Sequence, residues 1–240
     1  MTDTFQEDVM HKYFDNLAPI YQERFAEGLR TLAEQLLLHR MWLSDKWIDT
    51  EAGKAENKEG KGITMLDYAC GTGAVSLALA PFLTHITGMD TSPSMIVEYE
   101  KNAQAAHLNE KIVGRTGDLL APVVEESLAD LPKFDIVAVS MALHHFENPG
   151  LGVQRLASWI KTGGVFLVID LVVQDHGPHG FGGAKGTIST HGFSRTDMQR
   201  IFEEAGLRGF DYKVVPKPLK FVHDGKAIEK TVFIARAQQV

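Results

Sequence analysis

Between residues 63 and 171 short apolar runs alternate with helical stretches, and no other feature limits the fold as much. Strand-like runs fall at 63–66, 85–89, 111–115, 134–140 and 165–171, with helical stretches at 74–82, 93–107 and 151–160 between most of them. Strands alternating with helices build βαβ units, so the expectation is an α/β fold with a parallel sheet and right-handed crossovers. The ending departs from this pattern. A helix at 194–205 is followed by two strand-like runs, 210–215 and 231–237, with no helix between them. That predicts an antiparallel pair at one edge.

Ahead of the alternating region, residues 8–47 read as helix. Apolar positions at Leu29, Leu32, Ala33, Leu36, Leu37 and Met41 recur at three and four, and Pro19 suits the first turn of a second helix. The run DTEAGKAENKEGKG (49–62) is polar and lacks aromatics, which predicts an exposed connection. The expected organisation is an N-terminal helical cap (1–48), a polar linker (49–62) and a Rossmann-like domain (63–240).

Charge excludes one class of partner. A net charge of −7 and a pI near 5.8 argue against a nucleic-acid phosphate backbone. Cys70 is the one cysteine, so no intrachain disulfide framework exists. No apolar run is long enough for an integral membrane span. A cytoplasmic protein is the expectation, with a small-molecule acceptor as partner and room for a homodimer.

Four signals stand where parallel strands run out into loops, the edge at which open α/β sheets bind ligands. They are LDYACGTG (66–73), GMDTSPSM (88–95), Gly117-Asp118, and FDIVAVSMALHHFEN (134–148). Gly71 and Gly73 lie between a strand and a helix, where glycine lets backbone approach a ligand and the helix offers free amide donors. The loop nearly fits a dinucleotide fingerprint, so alone it discriminates weakly. Asp90 ends the second strand, where a carboxylate accepts from ribose hydroxyls of either adenosylmethionine or NAD. Asp67, placed before the glycines, would repel a pyrophosphate but suits a positively charged amino group. Asp118 is placed to accept from an adenine exocyclic amine. The two together favour a cofactor with an amino acid at one end and adenine at the other.

On these residues the stretch from Ile63 to Arg236 resembles a class I S-adenosylmethionine-dependent methyltransferase. LDYACGTG resembles the family's glycine-rich first motif, with Ala69 in place of a usual glycine and its carbonyl still available to the methionine amine. Asp90, Thr91 and Met95 match the ribose- and adenine-flanking positions, and Asp118 with Leu119 the adenine-recognising pair. WIKTGGVFLVID (159–170) is similar to the entry to the fifth strand. The resemblance implies a doubly wound, mostly parallel seven-stranded sheet of order 3-2-1-4-5-7-6 with strand 7 antiparallel. It also implies S-adenosyl-L-methionine as the cofactor. KYFDNLAPIYQERF (12–25) resembles the entry segment of ubiquinone and menaquinone biosynthesis methyltransferases, with Gln22 for the expected Asp. There Tyr21 lines the cleft, or with Phe14 and Leu17 docks the cap.

Methyl transfer from a sulfonium is an in-line displacement that requires close placement, exclusion of water and an unprotonated acceptor. Ser140 and the residues after it should run beside the methionine portion. His144 and His145 are the leading acid–base candidates because imidazole titrates near neutrality; local packing is the alternative. The glycine-rich run 175–192 reads as a lid, and His191 in it either faces the acceptor or caps a backbone carbonyl. Asp175, His176, His179 and His191 do not form a recognised closed metal site, so no metal is expected. The rival readings are an NAD-dependent oxidoreductase, weakened by Asp67 and by the missing third glycine, and a non-catalytic cofactor-binding subunit.

Overall fold

A computed structural model of the 240-residue chain describes residues 3–58, 60, 62–173, 189–223 and 226–240. Seven strands form one sheet: β1 (Thr64–Tyr68), β2 (His85–Asp90), β3 (Ile112–Thr116), β4 (Phe134–Ser140), β5 (Ile160–Leu171), β6 (Arg208–Val214) and β9 (Val232–Gln238). Their order is β3-β2-β1-β4-β5-β9-β6. Pairs from β3 through β5 are parallel, and β9 runs antiparallel to both neighbours. This is the expected topology, with the antiparallel strand moved to ninth place by an inserted hairpin, β7 (Leu219–His223) and β8 (Lys226–Lys230). The sequence reading left that hairpin unassigned.

Strand period two divides the core between the sheet's faces. Met65, Ile136, Ala138, Leu167, Ile169 and Ile234 face one apolar cluster. Leu66, Val137, Val139, Phe166, Val168 and Phe233 face the other. Helices cover both faces: α3 (Ala74–Leu79), α4 (Pro93–Ala105), the short α5 (Glu126–Ala129), α6 (Pro149–Ala157) and α7 (Arg195–Glu204). Their starts are written locally. Ser92 and Asn148 accept from the N–H of Met95 and Leu151, each ahead of a proline at the first helical position. Ser194 and Asp197 form a reciprocal capping box.

One expectation for the N-terminal region needs correction, and another gains detail. The two helices expected around Pro19 are one helix, α1 (Asp3–Leu43), with Pro19 inside it. A proline there removes one backbone bond, and packing holds the helix through it: Leu17 and Ala18 beside it are buried. The exposed linker 49–62 contains a helix, α2 (Glu51–Lys58). The Thr50 hydroxyl accepts from the N–H of Gly53 at 3.1 Å, and Lys54 pairs with Glu51 at 2.9 Å. Lys, Glu and Ala favour helix as readily as they favour solvent, so composition alone could not decide.

The helical cap also shares the domain's core. Leu32, Leu36, Leu43 and Trp47 are buried in the same cluster as Met65 and Leu79. Phe221 of β7 packs its ring 5.4 Å from Phe25 of α1, and a Cβ at Gly28 would sit 2.6 Å from Phe221. At the other end of α1, Trp42 donates its indole N–H to Asp211 at 2.8 Å. No described helix is long and apolar enough to cross a membrane.

Candidate active site

A cavity of about 690 Å³ opens along the carboxyl ends of β1, β2 and β4 under the N-terminal half of α1. Of the residues singled out in the sequence, Tyr21, Asp67, Ala69, Gly71, Asp90, Thr91, Met95, Asp118, Ser140 and His145 line it. Gly73, Leu119, His144 and His191 do not.

Gly73 caps α3 at φ 94°, and a Cβ there would lie 2.9 Å from the Tyr99 ring. Its task is to admit Tyr99. Leu119 is buried with Leu128 and Phe134 in the core, and Leu120 takes the place beside the cavity. His144 is buried: its Nδ1 lies 2.6 Å from Asp170 Oδ1, and its backbone N–H donates to Asp170 Oδ2 at 3.1 Å. Its carbonyl accepts from the N–H groups of Ser189 and Thr190. The ring is thus held by Asp170 and lies off the cavity wall, unlike its place among the acid–base candidates facing the reaction edge. His191 is exposed and off the cavity wall. Asp175, His176, His179 and most of the expected lid lie outside the described residues.

The three carboxylates occupy distinct settings. Asp67 is buried, and its Oδ2 accepts from the Ser76 hydroxyl at 2.6 Å and the Ser76 N–H at 3.1 Å. Burial outweighs those bonds and pushes its carboxyl up to about 7. Asp90 accepts from the N–H of Gly71 and of Ser92, both at 2.9 Å, and burial likewise raises its pKa. Asp118 Oδ1 accepts from the Tyr68 hydroxyl at 2.5 Å and the Leu120 N–H at 2.7 Å. Tyr21 stays protonated, since burial and the nearby Asp90 charge push its phenol up to about 12.

The backbone is bent at the strand ends that face the cavity. Ala69 after β1 and Met141 after β4 both have φ 54°, which costs a side-chain-bearing residue roughly 1–2 kcal/mol. Such conformations collect at functional sites, where the surrounding structure holds them. At Ala69 this explains why the resembled family uses glycine. Gly71, at φ 52°, has open space where a Cβ would be, so the loop leaves a cradle beside the cavity. Thr72, also on the wall, carries a buried hydroxyl that has no hydrogen-bond partner among the described residues.

Several site residues escaped the sequence reading. Ser92 was recoverable, because Ser-Pro before an apolar run is a helix-start signature. Asp15 was not: its Oδ1 accepts from the Ser92 hydroxyl at 2.5 Å, a partner 77 residues away. That bond ties α1 to the turn that follows Asp90. Phe14 of α1 reaches His145 edge-on at 5.3 Å, and His145 lies 4.1 Å from the His144 ring. His11 and Met10 of α1, and Arg155 of α6, complete the wall.

Comparison with known proteins gives the family and the fold. A family model described as a methyltransferase domain matches residues 25–210. An uncharacterized methyltransferase of Schizosaccharomyces pombe is 29% identical over 158 residues, covering 61% of this chain and 54% of that protein. Demethylmenaquinone methyltransferase of Leptospira interrogans is 25% identical over 173 residues, covering 70% of this chain and 62% of that protein. The matches thus span between about half and two-thirds of these relatives' lengths. A solved SAM-dependent methyltransferase from Anabaena variabilis superposes with a TM-score of 0.63 at 17% identity, covering 97% of this chain and 94% of that one. With three carboxylates on one wall, a glycine cradle between them and a family match over most of its length, this chain belongs to the methyltransferase domain family.

Proposed function

We propose that this chain transfers the methyl group of S-adenosyl-L-methionine to a small, largely apolar acceptor, with S-adenosylhomocysteine as the other product. The observation that carries the reading is the succession of Asp67, Asp90 and Asp118 along a single cavity. Their settings fit the three parts of that molecule: an ammonium group, a ribose diol and an adenine amine. The Gly71 cradle and the unpartnered Thr72 hydroxyl beside it support the fit. Bound there, the cofactor supplies an electrophilic methyl on a sulfonium.

The chain's own residues do the rest. Asp90 holds the ribose and with it the distance along the wall. Asp118, with one oxygen fixed by Tyr68 and Leu120, presents its carboxylate to the adenine edge. Phe14, Leu29, Leu32, Val75 and Met141 give the other side of the cavity an apolar wall that excludes water and selects an apolar acceptor. His145 is the histidine on that wall from the fourth-strand signal, and it receives the acceptor's proton. A cytoplasmic location belongs to the same reading, supported by a lone buried cysteine.

Calorimetry with S-adenosylhomocysteine and with NADH tests the cofactor. Micromolar binding of the first and none of the second is expected, and the reverse defeats the proposal. Once a screen of labelled methyl transfer to phenols, quinols, thiols and amines has found an acceptor, His145→Ala should lower kcat about 10²- to 10³-fold. Its affinity for S-adenosylhomocysteine should stay within about twofold of the parent. An unchanged kcat would leave His145 as wall.

A further inference from the structure

Three glycines crowd against one side chain. A Cβ at Gly88 in β2 would sit 2.2 Å from Tyr99 Cζ, one at Gly73 2.9 Å from Cδ2, and one at Gly114 in β3 3.3 Å from Cδ1. Gly88 pairs with Asp67 on one side and Gly114 on the other. The Tyr99 ring, carried by α4 and buried, therefore lies across this row of the sheet and stops beside Asp67. Its hydroxyl donates to Ser76 Oγ at 2.8 Å, and Ser76 Oγ in turn donates its single proton to Asp67 Oδ2 at 2.6 Å.

We propose that Tyr99 is a positioning residue for the amino-acid end of the adenosyl ligand, acting through Ser76 to fix which Asp67 oxygen turns to the helix and which to the cavity. This rests on the cofactor reading above and goes beyond it. Ser76 has one hydroxyl proton, which the Asp67 carboxylate draws, and the Tyr99 O–H strengthens Ser76 as the donor. With the Tyr99 O–H occupying an acceptor position on Oγ, the Ser76 proton points at Asp67 Oδ2. Asp67 Oδ1 makes no hydrogen bond among the described residues, while Asp67 lines the cavity. A ligand ammonium is the group that this remaining oxygen suits.

The chain of bonds also sets the charge available to such a ligand. Asp67 is faced by Asp90 from β2, Cys70 from its own loop and Tyr99 from α4, and none of these is a cation. Its carboxylate is held by the two Ser76 bonds against burial, with its pKa at about 7. Weakening Ser76 as a donor raises that value further. An ammonium ligand binds the carboxylate form, so affinity falls as pH drops through Asp67's pKa, and in the variant this fall begins at higher pH.

The test compares two ligands that share adenine and ribose: S-adenosylhomocysteine, which carries the amino acid, and 5′-methylthioadenosine, which lacks it. Tyr99→Phe keeps the ring in its glycine slot. It should weaken S-adenosylhomocysteine about three- to tenfold at pH 7, and methylthioadenosine less than about twofold. The pH midpoint of S-adenosylhomocysteine binding should move upward, with no matching movement for methylthioadenosine. Ser76→Ala should show the same split. Equal losses for both ligands, or no loss for either, would overturn the positioning role while leaving the cofactor reading intact. A parent chain that binds neither ligand overturns both.

Discussion

Asp90→Ala should weaken S-adenosylhomocysteine at least about 100-fold. Asp90 ends β2 on the cavity wall with both oxygens already accepting backbone N–H groups, one from Gly71 and one from Ser92. Those bonds leave lone pairs for a ribose diol and fix the glycine loop at the same time. Hydrogen bonds to a charged group contribute about 1.5–3 kcal/mol each. Losing two exceeds 100-fold in affinity, since about 1.4 kcal/mol is tenfold. Asp90→Asn keeps one acceptor oxygen and should fall between. Burial raises the Asp90 pKa, so acid should weaken binding above the usual carboxylate range. Affinity within a few-fold of the parent for Asp90→Ala would remove this residue from the cofactor site.

The largest effect on stability is expected at Gly88, far from any surface turn. A methyl added there would meet the Tyr99 ring at 2.2 Å, a separation that no rotamer adjustment of alanine relieves. The ring is itself confined by Gly73 and Gly114, so the backbone of β2 or the whole of α4 must shift. Gly88→Ala should cost about 2–3 kcal/mol and lower Tm by roughly 5–10 °C. Replacing the ring gives the internal check. In Gly88→Ala with Tyr99→Leu, the combined cost should fall well below the sum of the separate costs, because the second change removes what the first collides with. Strict additivity in thermal or urea unfolding would show that the clash is not what destabilises the variant.

Much of the fold was legible because its signals are local. The full extent of β4 was readable, since its apolar run is bounded on both sides. The starts of α4 and α7 carry their own caps in Ser92 and Ser194, whereas α6, expected from 151, begins at Pro149 behind Asn148. The misreadings share a different cause. The hairpin β7–β8 pairs only with itself and is packed on α1 from the other end of the chain. Pro19 reads as a helix start until Leu17 and Ala18, just ahead of it, are seen buried in one unbroken helix. The site divides the same way. Asp67, Asp90 and Asp118 follow from strand ends, whereas adjacent His144 and His145 differ in setting because the 3-10 turn at Leu143–His145 sends one ring to Asp170 and the other to the cavity.

Periodicity, capping residues and glycine spacing act over a few residues, so the amino-acid order alone determined the alternating architecture and the acidic strand ends. Contacts between distant segments decided the rest: that Asp15 would grip Ser92, that Tyr99 would lie along three glycines, and that one histidine of two would reach the cavity. Such contacts depend on which side chains the sheet's twist and the path of α1 bring within hydrogen-bonding distance, and no local pattern encodes that distance.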